Sequence, residues 1–409
     1  MKILIAVDSI NINDSSGSKA NVALITNLAK AGFEVKVYHY TQKNIQLQGV
    51  ACVSIPEKKR NVMFVLSRMQ RIFTRKTGIH VHQFLEKVFG FSFTFFNDTN
   101  SIVNALKKEV SFAPDLVLTL SKAASFRPHY ALLKLPKWHQ KWMAYVHDPY
   151  PFHYYPRPYN WVEPGYEKKE LFFRKVSEKA AYSAFPSQLL KEWMGSYFSN
   201  FLKTGIVIPH QSIKLGEPKI LPEYFDSAKF SLLHAGNLMA ERPPIGLIEG
   251  FKLFLEKNIE AKQQTQLLLI GPSDFKELLK NFQKSTEQLT VINKSLSFQD
   301  AYFLQTQVSV NIILESKSEI SPFLPGKFPH CVTANKPILL LCPYYSESKR
   351  LLGADYPYWA EVDDKESICS IIEKMYKQWL LDSDNFKLNR DDLTHYVSEK
   401  HLKEIIDNL

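Results

Sequence analysis

Short runs of apolar, often β-branched residues alternate along the chain with longer stretches in which apolar residues recur at helical spacing. This alternation is typical of parallel βαβ units, in which a helix follows each strand and covers the sheet. In the first half of the chain, strands are predicted at 2–7, 33–40, 50–55, 115–120, 142–147 and 205–210, with helices near 18–31, 100–110, 166–181 and 187–197.

The same alternation returns in the second half, where strands are predicted at 230–235, 266–271, 289–292, 308–314 and 337–342, with helices near 244–257, 274–283 and 298–305. Residues 364–409 predict two or three helices and no strand. Residues 211–230 are rich in Pro, Gly and charge without periodicity, which indicates a linker. We therefore expect an α/β fold of two Rossmann-like parallel-sheet domains, 1–215 and 216–385, facing a central cleft, with a C-terminal helix in 386–409 that packs back on the first domain.

The composition narrows the class of protein. Of the 409 residues, 45% are hydrophobic and 22% are charged, which is typical of a globular chain. No long uncharged apolar run is present, so we expect no membrane-spanning helix, and the opening segment MKILIAVDSI predicts a first strand rather than a secretory leader. The four cysteines lack C-x-x-C spacing, which argues against a zinc site or a disulfide framework and fits a reducing cytosol. The net charge of +10 indicates an anionic partner, which could be nucleic acid, a membrane surface or a phosphorylated substrate.

Ligands of parallel sheets bind at the carboxyl ends of the strands, so the loops there are the candidate binding segments. The loop after the first strand, residues 8–20, is not a G-x-G-x-x-G dinucleotide loop. Gly17 could still bring backbone close to a ligand, and Ser18 could cap the following helix. Taken alone, this loop fits a plain strand-to-helix turn better.

Two loops of the second half carry phosphate-binding chemistry. The first runs from Gly236-Asn237 to Arg242, just before a helix that starts at two prolines. The Arg242 guanidinium is suited to bind a phosphate. The alternative is that Arg242 is a surface arginine beside Glu241. The second, Ser321–Gly326, leads into a helix whose first turn carries Lys327 and His330. Free backbone N–H groups and the lysine could hold a diphosphate there, or the loop simply exposes a solvated lysine.

Together these segments resemble a known family. The strand–Gly236–Asn237–x4–Arg242 segment, the LPGKFPHCVTANKPIL segment and the turn at Ile206–His210 are similar to the retaining family 4 glycosyltransferases of the GT-B, or group 1, type. The resemblance implies a second-domain donor site for a nucleoside-diphosphate sugar and a first-domain acceptor site. It implies that Arg242 and Lys327 bind the diphosphate. It also implies that Gly271 shapes the nucleotide-binding face. The full set of predicted donor-binding residues beside these two cations is Gly17, Gly236, Asn237, Gly271, Glu319, Leu324, Gly326 and His330.

The resemblance also covers AYVHDPYPFHYYP in the first domain. It implies that His147, which closes a strand, contacts the transferred sugar and acts in catalysis with Arg242 and Lys327. Without the family, a structural histidine would be the simpler interpretation. Asp148 and Tyr150 are the predicted acceptor-side contacts.

The chain departs from the family at its acidic pair, normally two glutamates eight positions apart. The second falls on His330 and the first on Pro322, while Glu319 lies nearby out of register. Asn237 also stands where an arginine is common. We therefore expect the diphosphate to depend on Arg242, Lys327 and backbone N–H groups.

No metal and no cofactor is expected beyond the nucleotide-sugar substrate. No metal-binding Asp-x-Asp cluster stands out, and Asp363-Asp364 is expected to cap a helix. His80-x-His82 lacks a third ligand and is interpreted as structural.

Residues 58–76 hold seven basic residues and no acidic one. On a helix, Val62, Leu66, Met69 and Phe73 share one side, and Arg68, Arg71 and Arg75 share another, which fits an interfacial helix; the aromatic run 89–96 follows closely. A core-facing helix with a solvated basic face is equally compatible. Nucleic acid is not expected, because no binding motif accompanies the charge.

The predicted function is glycosyl transfer, of the hexosyltransferase type, from a nucleoside-diphosphate sugar to a hydroxyl of a cell-surface glycan or its lipid-linked precursor, with retention. This would be a step of polysaccharide biosynthesis in the cytoplasm, with docking to the inner face of the membrane as an option. The alternatives are a catalytically silent GT-B protein that binds glycan or a partner, motivated by the missing glutamates, and a nucleotide-sugar epimerase.

Overall fold

The computed structural model describes residues 1–122, 125–213 and 220–409. They form two compact units. The first comprises 1–155, 160–211 and 398–409, and the second comprises 156–159 and 212–397. The predicted boundary between residues 215 and 216 lies outside the described residues.

Fifteen strands are present in the described residues: β1 (Lys2–Val7), β2 (Glu34–His39), β3 (Ala51–Ser54), β4 (Leu116–Leu120), β5 (Trp142–Tyr145), β6 (Tyr182–Phe185), β7 (Gly205–Val207), β8 (Phe230–Ala235), β9 (Thr265–Ile270), β10 (Leu289–Ile292), β11 (Val310–Leu314), β12 (Ile320–Ser321), β13 (Ile338–Leu341), β14 (Tyr345–Ser346) and β15 (Trp359–Ala360).

Seventeen α-helices lie in the same part of the chain: α1 (Ser16–Lys30), α2 (Val62–Thr77), α3 (Val81–Phe89), α4 (Phe93–Lys107), α5 (Arg127–Leu133), α6 (Tyr166–Lys179), α7 (Gln188–Tyr197), α8 (Asn200–Thr204), α9 (Ile245–Lys257), α10 (Ala261–Gln264), α11 (Lys276–Ser285), α12 (Phe298–Gln307), α13 (Phe328–Thr333), α14 (Glu347–Leu352), α15 (Lys365–Leu381), α16 (Asp391–Tyr396) and α17 (Glu399–Asp407). No helix in this part of the chain has both the length and the apolar character needed to span a membrane.

The first unit is built on a seven-stranded sheet in the order β3-β2-β1-β4-β5-β6-β7, with every pair parallel. Its central strand β1 is buried from Ile3 onward, with Leu4 and Ala6 in one core and Ile3 and Ile5 in another. Because both faces of the sheet carry a core, helices cover both, as in a Rossmann-like domain.

The second unit repeats this design with a six-stranded sheet in the order β10-β9-β8-β11-β13-β15, also parallel. Alternate residues of β9 again divide between two cores: Leu267 and Leu269 pack on one face, and Leu268 and Ile270 on the other. A two-stranded sheet of β12 and β14 stands apart from it.

Two helix starts differ from the sequence prediction. Ser15, and not Ser18, is the N-cap of α1, because the Ser15 hydroxyl accepts a hydrogen bond from the Ser18 backbone N–H at 3.1 Å. Helix α4 begins at Phe93, well before residue 100. The aromatic run 89–96 thus enters the core in part, with Phe91 and Phe95 stacked at 4.0 Å.

The last helix, α17, packs against α1 and contributes Leu402 and Ile406 to a core of the first unit. Residues 364–409, for which two or three helices were predicted, form α15, α16 and α17. Helix α15 lies on α9 in the second unit.

Candidate functional site

Two glycines end adjacent strands of the second sheet. Gly236 follows β8 with φ +152°, and Gly271 follows β9 with φ +143°; both values favour glycine. The Gly236 N–H donates to the Ile270 carbonyl at 2.8 Å, and a Cβ on Gly271 would clash with the Gly236 carbonyl group. The ends of β8 and β9 therefore lie close together at two residues without side chains, which leaves space for neighbouring side chains.

Lys327 reaches that backbone from the turn before α13. A Cβ built on Gly236 would lie 3.2 Å from the Lys327 Nζ. Nζ is buried and has no hydrogen-bond partner within the described ranges. Burial above all, together with the positive charge of Arg242, lowers the pKa of this ammonium to about 8, although Cys331 opposes the shift. Among the described residues, this buried cation has no counter-ion.

Arg242 ends a turn in which its own backbone N–H donates to the Met239 carbonyl at 2.8 Å. Its Nε donates to the Tyr159 hydroxyl at 3.3 Å, and the Tyr159 ring meets Phe323 edge to face at 6.0 Å. Tyr159 has no signal in the sequence, because it is remote from Arg242 along the chain. The structure therefore brings the two predicted diphosphate ligands, Arg242 and Lys327, together.

The carboxyl group of this site is Glu315, which the sequence analysis missed. Glu315 directly follows β11, is only 4% exposed and accepts hydrogen bonds from Ser346 at 3.1 Å and Ser348 at 2.6 Å. Burial raises the pKa of this carboxyl group, and the serines and Arg242 oppose the rise. Glu319, by contrast, is exposed. The position of Glu315 at a strand's carboxyl end was the available signal.

His234 is a second missed residue. It lies in β8, two positions before Gly236, and is buried. Burial holds the pKa of His234 well below its usual value, and the charges of Lys327 and Arg242 act in the same direction. The imidazole is therefore neutral near pH 7. A histidine inside the mostly apolar run FSLLHA was a signal for it.

The remaining predicted donor residues differ in their surroundings. His330 is 7% exposed, and its ring contacts Phe298 at 4.7 Å and Tyr302 at 5.6 Å. The Leu324 side chain is buried in a core cluster, so it packs the unit rather than offering a contact surface. Gly326 is exposed, and a Cβ there would meet nothing within 4 Å.

Asn237 is exposed and borders a shallow pocket of about 290 Å³. The pocket is lined by Asn237, Leu238, Met239, Pro272, Ser273, Asp274, Lys276 and Asn293. The Asn293 side chain accepts from the Ser273 N–H at 3.0 Å and so fixes the loop after β9. This pocket adjoins the two glycines and offers amide, hydroxyl and backbone groups.

In the first unit, His147 lies two residues beyond β5 and is held by α1. Its Nε2 lies 2.8 Å from the Asn21 side-chain oxygen, and the Asn21 amide group donates to the Ser121 carbonyl at 2.9 Å. This assignment leaves Nε2 protonated and Nδ1 as an acceptor. Burial keeps the pKa of His147 well below its usual value, with His210 and His129 acting in the same direction. The Nδ1 acceptor is buried and finds no partner in the described part of the chain.

The two predicted acceptor-side residues lie in different surroundings. Asp148 is half-buried next to His147. Tyr150 is 1% exposed, and its ring packs against Phe126 at 4.4 Å and Phe173 at 5.1 Å. The prediction of an acceptor contact for the Tyr150 ring is wrong for this structure, because the ring is part of the aromatic core.

A buried ion network lies at the end of β1. Arg127 pairs with Asp8 at 3.4 Å and with Asp98 at 3.2 Å, and the Tyr40 hydroxyl donates to Asp98 at 2.8 Å. Burial raises the pKa of Asp8 to about 6 although Arg127 opposes the rise. Gly17 lies nearby in sequence, in the first turn of α1.

The features considered for metals have structural partners. Asp364 accepts from the Ser367 N–H at 3.0 Å and caps α15, as predicted, while Asp363 pairs with Lys317. The rings of His80 and His82 meet edge to face at 5.4 Å.

Comparison with known proteins gives the fold but no family. No protein-family model and no curated protein matches the chain. Among solved structures, a trehalose-6-phosphate synthase is similar at 10% identity and TM-score 0.64, covering 100% of this chain and 98% of that one. Sucrose-phosphate synthase from Thermosynechococcus elongatus is similar at 12% identity and TM-score 0.62, with the same coverage. A trehalose-6-phosphate protein from E. coli bound with UDP-2-fluoro glucose is similar at 11% identity and TM-score 0.59, again covering 100% and 98%.

Similarity over the whole chain at such low identity establishes the architecture alone. The predicted fold class, α/β of the GT-B type with two parallel-sheet units and C-terminal helices, is confirmed. The narrower match to the retaining family 4 stays a prediction.

Proposed function

We propose that this chain is a glycosyltransferase that uses a nucleoside-diphosphate sugar as donor and binds its diphosphate in the second unit. The observation that carries the proposal is the buried Lys327 ammonium, which faces the Gly236 backbone, has no hydrogen-bond partner in the described residues and lies near a second cation, Arg242. A buried unpaired charge is costly, and a bound diphosphate would supply the missing anion.

The proposed chemistry is stabilisation of the leaving group. Negative charge develops on the diphosphate as its bond to the sugar breaks, and Arg242 and Lys327 are held in place to receive it. Two neighbouring groups support this arrangement: the charge of Arg242 opposes the burial-raised pKa of Glu315, and the neutral His234 adds no charge.

We assign donor-sugar recognition to His147. Its Nε2–H is held by Asn21, so the ring is fixed and its Nδ1 can accept a hydrogen bond from a sugar hydroxyl. Retention of anomeric configuration, implied by the family resemblance, is part of the proposal. It is tested by NMR of the first-formed product anomer.

For the acceptor we propose a hydroxyl of a cell-surface glycan or its lipid-linked precursor. Two of the similar solved structures are named for synthesis of trehalose 6-phosphate and sucrose phosphate, which makes a sugar phosphate the second acceptor class to test. The chain's net charge of +10 is compatible with either phosphorylated class.

The experiment starts with a thermal-shift screen of uridine, guanosine and adenosine diphosphate sugars, followed by turnover of the best donor with and without acceptors. Acceptor-dependent release of nucleoside diphosphate supports transfer. Conversion of the donor sugar without acceptor indicates an epimerase, and binding without turnover indicates a silent GT-B protein. Absence of binding by every nucleoside-diphosphate sugar contradicts the proposal.

A further inference from the structure

Helices α2 and α3 leave a continuous set of large apolar side chains exposed. On α2 these are Val62, Val65, Met69, Ile72 and Phe73, and on α3 they are Phe84, Val88 and Phe89; each is between 40% and 70% exposed. The set is called the α2–α3 face below. Apolar surface of this extent, on consecutive helices, is typical of an interaction site rather than of ordinary solvent-facing surface.

Helix α2 is held to the unit by polar contacts at its start. Ser67 is its buried residue, and the Asn61 side chain accepts a hydrogen bond from the Phe64 N–H at 2.9 Å and donates one to Asn97 at 2.9 Å. An amphipathic helix on a water-exposed protein turns its apolar side to the core. On α2, large apolar side chains are exposed together with Arg71 and Arg75, so burial in a core does not account for these apolar residues.

The charges around the face are almost all positive. Residues 58–89 contain eight Lys or Arg and one acidic residue, Glu86, which accepts a hydrogen bond from Lys169 at 3.2 Å. Arg68 pairs with Glu57 at 2.8 Å, so it does not belong with the outward cations as the sequence had suggested. Arg71, Arg75 and Lys76 are exposed.

We propose that the α2–α3 face docks on an anionic lipid leaflet. The apolar side chains would enter the region between headgroups and acyl chains, while Arg71, Arg75 and Lys76 lie at headgroup level. An anionic leaflet provides both an apolar acyl-chain region and negatively charged headgroups. A second copy of this chain would instead set like charges against each other, which disfavours it as the occupant.

This proposal concerns the surface of the first unit and does not depend on the donor site proposed for the second unit. It bears on the acceptor, because a protein held at a leaflet can act on a lipid-linked acceptor without any spanning helix. Nucleotide binding and vesicle binding are separate measurements, so failure of one proposal is distinguishable from failure of the other.

The test is co-sedimentation of the full chain with phosphatidylcholine vesicles that either contain or lack phosphatidylglycerol, at low and high salt. We expect binding to the anionic vesicles alone, weakened by salt through screening. Replacing Arg71, Arg75 and Lys76 by Glu should weaken this binding about a hundredfold or more. The matched charge control replaces Lys262, Lys280 and Lys284, exposed lysines of the second unit, by Glu. It should bind nearly as the native chain does.

The apolar part is tested by replacing Val65, Met69 and Ile72 by Ser, with Leu380→Ser and Leu381→Ser as the control for exposed apolar residues elsewhere. The α2 variant should lose most binding and keep its thermal stability, since these side chains are exposed; the control should bind normally.

Three results would overturn the proposal. The native chain could ignore anionic vesicles at low salt, or both control variants could lose as much binding as the α2 variants. Alternatively, sedimentation velocity could show a native dimer that the serine variant of α2 abolishes, which would identify a second copy as the occupant of the face.

Discussion

The Lys327 ammonium lies against the backbone of Gly236, where a Cβ would come within 3.2 Å of its Nζ. Gly236 also has φ +152°, which disfavours other residues. We therefore expect Gly236→Ala to displace the ammonium and to weaken nucleoside-diphosphate binding about tenfold or more, with a loss of stability on the order of 1–3 kcal/mol. Calorimetry with UDP, or with the best diphosphate found, measures the first and thermal unfolding the second.

Gly326→Ala is the matched control, because a Cβ at Gly326 meets nothing within 4 Å. This substitution should leave the affinity for nucleoside diphosphate and the thermal stability near their native values. Equal effects of the two substitutions would mean that the contact between Gly236 and Lys327 has no part in binding.

Removing either cation should affect the phosphate part of the ligand selectively. Arg242→Ala and Lys327→Met should each weaken diphosphate binding by roughly 1.5–3 kcal/mol, the usual size of a charged hydrogen bond, while nucleoside binding hardly changes. Paired titrations with nucleoside and nucleoside diphosphate measure this. Lys327→Met should also be no less stable than the native chain without ligand, because it removes a buried charge. Unchanged diphosphate affinity in both variants would refute the site.

The affinity for diphosphate should depend on alkaline pH. The pKa of Lys327 is lowered to about 8 in the free protein, and a bound anion would raise it. Binding then takes up a proton above pH 8, so affinity should be level from pH 7 to 8 and fall by up to about tenfold for each further unit. Calorimetry in two buffers of different ionisation enthalpy detects the proton. A native profile that matches Lys327→Met would contradict the assignment.

His330 occupies the position of the family's ribose-binding glutamate, yet its ring lies between Phe298 and Tyr302. An imidazole offers one hydrogen bond per nitrogen, so we expect weak ribose recognition. His330→Ala should lower the affinity for nucleoside and nucleoside diphosphate by the same factor, about threefold to tenfold. Titration of both ligands checks this. An effect on the diphosphate alone would place His330 with the phosphate ligands instead.

His147 is expected to act on turnover and not on diphosphate binding. His147→Ala should reduce kcat/KM about tenfold or more through loss of one oriented hydrogen bond. Asn21→Ala should reproduce part of the loss, since it releases the His147 Nε2–H. Steady-state kinetics with the best donor measure this. His139→Gln is the control, because His139 bonds the Leu132 carbonyl elsewhere in the unit; a loss of equal size there would point to general destabilisation.

Three strands match their predicted bounds. β1 and β8 do so because both faces of each strand are covered, so that most of their residues are apolar. The edge strand β10 also matches, at Leu289–Ile292. The four-residue β6 was missed because it lies between two helices, α6 and α7, whose periodicity extends almost up to it. The predicted strand at 205–210 is shorter in the structure, ending at Val207.

Only part of the candidate site could be predicted from the sequence. Lys327 and Arg242 could be found because each follows a strand end within a short loop. Glu315 was overlooked because the family's register drew attention to Glu319, whereas the hydrogen bonds of Glu315 come from Ser346 in β14 and Ser348 in α14. Side chains that meet only through the packing of separate elements leave no periodic signal in the chain.

The burial of Leu402 and Ile406 of α17 in the first unit has a practical consequence for dissecting this protein. Cutting the chain at residue 211 would yield a fragment that bares the apolar side of α1. Expression of the first unit alone therefore requires the final helix to be rejoined through a short artificial loop, and C-terminal trimming is expected to harm the half of the molecule that lies first in the chain.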